Sequence, residues 1–235
     1  MYPNFYQSFL PREVLNEKFL KIGFSESGED DFIRFFFKEE IFGRKPGTYL
    51  DIGCYHETAF SNTKLLNLLG WYGVAVDANP ELKSPWLKAR PDDKFLNYAI
   101  GQNSKQKNDI DFYRFSIKSS STTNKVRAKE MIHAGVPLRD KVRVPCIGLG
   151  ELSAQCLKLG FNKFDFINID IECTNYLSEL PLLLSLLKPR LLCIEALSFG
   201  LSIENFVDLA EVRCLNSSGY KPVAIIRENI LAMPM

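Results

Sequence analysis

The sequence predicts an α/β protein built on a doubly wound, mostly parallel sheet, and three observations predict it. Short apolar runs that stop at a glycine or an acid alternate along the 235 residues with helical patterns, as in βαβ units. Residues 47–80, GTYLDIGCYHETAFSNTKLLNLLGWYGVAVDANP, hold one such unit in a single stretch. The chain closes on two runs, 223–227 and 230–233, that read as a terminal antiparallel strand pair.

Within residues 47–80, Tyr49, Leu50 and Ile52 form a buried strand that stops at Gly53. Ser61 and Asn62 are N-cap residue types, and Leu65, Leu66, Leu68 and Leu69 give the helix after them an apolar face closed by Gly70. Val74, Ala75 and Val76 make the next strand, with Asp77 at its carboxyl end and Asn79-Pro80 breaking the chain.

Ahead of this unit, residues 1–46 read as an N-terminal cap of short helices. Pro11 with Val14, Leu15, Phe19 and Leu20 suggests a first helix ended by Gly23, and residues 25–30 are polar and turn-forming. Phe32, Ile33, Phe35, Phe36 and Phe37 make a second helix, apolar around much of its girth, that runs to Gly43. It is expected to cover the sheet edge; the alternatives are a lid formed by 25–30 and a dimer contact on the aromatic face.

Residues 47–235 form the main domain. After the first unit come a helix at 82–90, a turn at Pro91-Asp92-Asp93 and a third strand at 95–100. Residues 102–148 read as an insertion facing the substrate. It holds a polar loop at 102–109, a strand at 111–116, the exposed loop or lid KSSSTTN at 118–124, a basic helix at 125–134 ended by Gly135, and a strand at 141–147. A helix at 149–159 closed by Gly160 leads to an apolar strand at 164–171 carrying Asp170 and Glu172. A helix at 176–187, a strand at 191–194 ending at Glu195 and a helix at 206–215 follow.

Bulk properties narrow the function. An apolar fraction of 46 % fills one core, not two large ones. The 29 basic and 28 acidic residues leave a net charge of +1, which recruits neither nucleic acid nor an anionic membrane. Six scattered cysteines without a C-x-x-C pair read as reduced core residues of a cytoplasmic protein. The run 180–187 is interrupted by Pro181 and falls short of the roughly 18 residues that span a bilayer, and no signal-peptide core opens the chain. Two histidines, His56 and His133, with dispersed cysteines argue against zinc.

Ligands of open parallel sheets bind beyond the carboxyl ends of the strands, so the turn after Gly53 and the loop at Asp77 should face one cleft. Asp77 lies 24 residues after Gly53 and suits the diol of a ribose. Nicotinamide dinucleotides and S-adenosylmethionine both carry that diol. A dinucleotide needs G-x-G-x-x-G for its pyrophosphate, whereas this turn reads Gly53-Cys54-Tyr55-His56-Glu57-Thr58, bulky and acidic. A phosphate-free sulfonium cofactor with an ammonium group fits better. Asp51, inside a buried strand, must be paired: it holds that ammonium or makes a structural bond. Ser61 and Asn62 either cap the helix or aid the methionine end. In this fold the loop after the third strand borders the adenine, where Asn97, Ala99 and Ile100 are expected, with a bond to its own turn as the alternative for Asn97. Asp170 and Glu172 share a strand face, so together they supply a base or ligate a divalent cation, with a solvated loop acid as the plain alternative for Glu172. His56 is the rival base.

The elements DIGCYHE, SNT, GWYGVAVDANPEL, RPDD, NYAIG and FINIDIE, spread over about residues 25–196, resemble the FkbM-type family of S-adenosylmethionine-dependent methyltransferases. The resemblance implies a class I methyltransferase fold, Rossmann-like, and O-methylation of a sugar, polysaccharide or natural product. The cofactor site expected is Asp51, Gly53, Cys54, Tyr55, Ser61 and Asn62 from the first turn, Asp77, Ala78 and Asn79 from the second, and Asn97, Ala99, Ile100 and Asp170. The catalytic candidates are His56, Asp170 and Glu172. Two positions depart from the family pattern: Glu26 stands where Gln is common and Cys173 where Gly is usual. Expected partners are a small-molecule or carbohydrate acceptor and a second copy of the chain. A catalytically silent binding protein that keeps the fold is the alternative function, and a nicotinamide-dependent oxidoreductase stands behind it.

Overall fold

The computed structural model describes residues 23–101, 109–171, 173–196 and 203–235. Its strands are β1 (Thr48–Ile52), β2 (Tyr72–Asp77), β3 (Lys94–Asn97), β4 (Ala99–Ile100), β5 (Asp109–Phe115), β6 (Leu138–Ile147), β7 (Phe166–Ile169), β8 (Leu191–Glu195), β9 (Tyr220–Ile226) and β10 (Asn229–Pro234). Its α-helices are α1 (Glu29–Phe36), α2 (Lys38–Phe42), α3 (Lys64–Leu68), α4 (Lys83–Ala89), α5 (Lys125–His133), α6 (Leu149–Lys158), α7 (Leu180–Leu187) and α8 (Ala210–Ser217).

Seven strands make the main sheet in the order β3-β2-β1-β7-β8-β10-β9. It is parallel from β3 to β8, and β10 pairs antiparallel with both β8 and β9. Side chains alternate across it. Leu50 and Ile52 of β1 and Ile167 and Ile169 of β7 join a core with α6, α7 and α8 through Leu152, Leu184 and Leu215. Tyr49 and Phe166 point to the other face and pack with Ile33 and Phe37, Leu66 of α3, and Trp71. Helices on both faces make the sheet doubly wound.

Several expectations need correction. The aromatic helix at 32–37 is two helices, and α1 starts at Glu29 because Asp30 gathers the turn before it, accepting from Phe24 N (2.5 Å) and Ser25 Oγ (2.8 Å). Ile33 and Phe37 cover a face of the sheet and not its edge. The third strand breaks at Tyr98: Asn97 Nδ2 donates to the carbonyls of Asp77 (2.8 Å) and Ala78 (3.0 Å), while Ala99 and Ile100 leave to pair with Cys146 and Ile147. A second sheet, β4-β6-β5, results. The strand read at 164–171 ends at Ile169, and the helices read at 176–187 and 206–215 begin as 3₁₀ turns, Asn175–Ser178 and Ile203–Asp208. In the 118–124 loop, Thr122 is buried and bridges the backbone of Tyr113. The helix expected before Gly23, the loop at 102–108 and Glu172 lie outside the described residues.

Candidate active site

The site begins where β1 and β7 end side by side. Gly53 has φ +82, and a Cβ there would sit 1.8 Å from the carbonyl oxygen of Asp170, so only glycine lets the two strand ends approach this closely. Gly53 N donates to Val76 O (2.8 Å), which ties the turn to β2. Asp77 joins the two loops, its Oδ2 accepting from Tyr55 N (3.0 Å) and its Oδ1 from Asn79 N (2.7 Å). Each oxygen keeps a further lone pair for a ligand. Burial pushes the Asp77 pKa up to about 6, against the pull of those two amides. Tyr55 (φ 50) and Phe60 (φ 57) take the left-handed conformation although neither is glycine, and their rings stack at 6.3 Å. Bulky residues held at positive φ cost on the order of 1 kcal/mol each and cluster at functional sites.

These loops open on a cavity of about 340 Å³. Five carboxylates line it: Glu26 and Glu29 from the N-terminal turn and α1, Asp77 from β2, Asp170 after β7 and Glu195 from β8. Val76, Leu82, Tyr98, Ile100 and Phe112 give it an apolar side. The segment before α5 adds Ser119, Ser121, Thr122 and Thr123, and α5 adds Arg127. Asp170 is open to the cavity but surrounded by protein. Its pKa is driven well above the usual carboxylate range by burial first, and then by the charge of Glu195 and a hydrogen bond to it. Neighbouring carboxyls oppose each other's ionisation. Among the described residues no group of His, Cys, Asp and Glu is arranged to hold a metal ion.

Behind the cavity lies a buried polar network that sequence reasoning did not assemble. Asp51 accepts from Thr63 Oγ1 (2.5 Å) and Asn168 Nδ2 (3.0 Å). Arg90, fully buried, donates to Thr63 Oγ1, Ser61 Oγ and Glu57 O, each at 2.8 Å, and lies 4.1 Å over the Trp86 ring. Asp93 takes the hydroxyl of Tyr49 (2.7 Å), Gly73 N (2.9 Å) and Trp86 Nε1 (3.0 Å). Burial raises the pKa of Asp51 and Asp93, opposed by these bonds and by the Arg90 charge.

Of the expected cofactor residues, Gly53, Tyr55, Asn62, Asp77 and Asp170 line the cavity, with Ala78, Asn79, Ala99 and Ile100 beside them. The others stand behind it. Asp51 accepts from Thr63 and Asn168 and is not among the residues that line the cavity. Ser61 serves Arg90, and neither Ser61 nor Asn62 caps α3, whose N-cap is Thr63. Asn97 braces the loop after β2. Cys54 is buried with its thiol pKa pushed far up by desolvation. His56 is bound into its own turn, Nδ1 accepting from Thr58 N (3.0 Å) and Ala59 N (3.1 Å), which argues against it as the base. Cys173, at the second departure from the family pattern, lines the cavity and its Sγ reaches Ile100 O at 3.8 Å. Glu29, Glu195, Tyr98, Phe112 and Arg127 were not foreseen; Glu195, an acid closing an apolar strand, carried the same signal that singled out Asp77.

No family model matches the sequence, and no curated protein matches it. Among solved structures the chain is similar to an O-methyltransferase from Bacillus cereus in complex with SAH, at 14 % identity over 97 % of this chain and 94 % of that one, TM-score 0.46. It is similar to 1,6-didemethyltoxoflavin-N1-methyltransferase of Burkholderia thailandensis, bound to 1,6-didemethyltoxoflavin and S-adenosylhomocysteine, at 13 % over 88 % and 77 %, TM-score 0.47. The third is monomeric WbdD, at 12 % over 96 % of this chain, TM-score 0.48; the chain spans only 44 % of that protein's length. The sheet itself is Rossmann-like, mostly parallel and seven-stranded with a terminal antiparallel pair.

Proposed function

We propose that the chain is an S-adenosylmethionine-dependent methyltransferase acting on a hydroxyl of a sugar, polysaccharide or natural product, in line with its FkbM-type motifs. One observation carries the reading: five carboxylates line the cavity at the strand ends. A unit charge about 5 Å from one carboxylate feels about 3 kcal/mol at an effective dielectric constant near 20. That sign favours a sulfonium and an ammonium, and opposes a dinucleotide's pyrophosphate.

When bound, the cofactor supplies a methyl group already activated on sulfur. Asp77 would accept from the ribose diol with its spare lone pairs, and Ala78, Tyr98 and Ile100 would offer the adenine an apolar surface. Arg127 and the hydroxyls of Ser119, Ser121, Thr122 and Thr123 position the acceptor. The ionised member of the Asp170–Glu195 pair takes the acceptor's hydroxyl proton as the oxygen attacks. The six free cysteines agree with a reducing, cytoplasmic setting. Among the described residues no helix is long and apolar enough to cross a membrane.

Calorimetry with S-adenosylhomocysteine tests the cofactor: saturable micromolar binding supports the reading, and no heat up to about 1 mM ligand overturns it. Labelled methyl transfer to neutral sugars, uronates and phenolic hydroxyls then tests the acceptor class, and a product methylated on nitrogen alone would remove the O-methyl assignment.

A further inference from the structure

In the parallel register of β1 and β7, Asp51 stands opposite Asn168. The bonds between them run in one direction. Arg90 can only donate, so Thr63 Oγ1 accepts from Arg90 Nη1 (2.8 Å) and gives its own proton to Asp51 Oδ2 (2.5 Å). The other oxygen of Asp51 accepts from Asn168 Nδ2 (3.0 Å), which turns Asn168 Oδ1 toward Asn62, where it accepts from Asn62 Nδ2 (2.9 Å). Three links thus fix which way the Asn62 amide faces, a choice that an isolated amide leaves open.

The last atom of the chain is left over. Asn62 is 6 % exposed and lines the cavity, yet its Oδ1 is buried and accepts no hydrogen bond from the described residues. Buried acceptors without donors are uncommon and costly, and a site that keeps one is suited to a ligand that brings the donor. The surroundings call for a cationic donor. Glu29, buried and accepting from Asn229 Nδ2 (2.9 Å), lines the same cavity as Asn62.

We infer that Asn62 Oδ1 and Glu29 form the seat of the cofactor's ammonium group, and that Asp51 and Asn168 are positioning residues that act on it only through the Asn62 amide. This rests on the cofactor reading above. It replaces direct capture of the ammonium by Asp51 with a relay one residue long on each strand, and gives a buried charge a task without exposing it.

The test compares two ligands that share a nucleoside. S-adenosylhomocysteine carries the ammonium; 5′-methylthioadenosine lacks the whole amino-acid end. Titrated into wild-type protein, Asn62→Leu and Asn168→Leu, the first ligand loses about tenfold or more in affinity in both variants, as for a lost hydrogen bond to a charge. The second keeps its wild-type affinity. Equal losses for both ligands, or no loss for either, overturn the inference. Asn168→Leu strips a donor from buried Asp51 and its folding is checked by melting; Asn62→Leu spares that bond and reads the same loss. If wild-type protein binds the nucleoside alone as well as S-adenosylhomocysteine, the ammonium seat falls and the nucleoside site stands. If it binds neither, the cofactor reading falls and takes this one with it.

Discussion

Gly53→Ala is the substitution whose consequence the structure fixes most tightly. The new Cβ would lie 1.8 Å from Asp170 O, where carbon and oxygen normally keep about 3.3 Å, so the ends of β1 and β7 must part by roughly 1.5 Å. A residue other than glycine at φ +82 adds about 1–2 kcal/mol, and weakening the bonds from Gly53 N to Val76 O and from Asp170 N to Ile52 O adds about 1 kcal/mol each. The expected loss is about 3–4 kcal/mol in urea unfolding, a large share of the stability of an ordinary domain. Asp170 moves with its carbonyl, and a displacement of about 1 Å costs on the order of 10²-fold in turnover. Gly160→Ala is the control: its φ is +91 but nothing lies within 4 Å of the added Cβ, so it should lose only about 1–2 kcal/mol and bind S-adenosylhomocysteine as wild type does. A Gly53→Ala protein with wild-type stability and cofactor affinity would refute the close approach of the two strand ends.

Three further predictions concern charge. The folded-state pKa of Asp77, about 6, lies above the ordinary 3.8, so its contribution to stability is fully present below about pH 4 and is lost as pH rises through 6. Urea midpoints across that window should show the slope, Asp77→Asn should flatten it, and ligand affinity should rise over the same range as the carboxylate forms. Asp170→Asn and Glu195→Gln should each lower turnover by about 10²-fold or more while S-adenosylhomocysteine binds within about threefold of wild type, which separates a base from a binding group. Arg90→Leu strands Asp51 and Asp93 in the core, and urea unfolding should record a loss of about 3–5 kcal/mol.

The first βαβ unit was legible because its signals are local: an apolar run, a glycine that stops it, an acid at the next strand end. The terminal antiparallel pair was legible for the same reason. What escaped depends on residues brought together from afar. Arg90 reads as an ordinary helix-end cation until the fold buries it between Asp51 and Asp93. Asn168 sits in an apolar strand, and only the register opposite Asp51 gives it a purpose. The break at Tyr98 could not be read from residues 95–100, since its cause is the pairing of Ala99 and Ile100 with a strand more than forty residues away. Glu26, Glu29 and Glu195 come from three separate elements, so the acidity of the cavity is a property of the assembled sheet.

The most direct measurement is a paired titration of the wild-type protein at low salt with S-adenosylhomocysteine and with NADH, each also tested as a competitor of the other. A crevice whose acids suit a sulfonium nucleoside should bind the first in the micromolar range and ignore the second. Binding of NADH with indifference to S-adenosylhomocysteine would contradict that account outright.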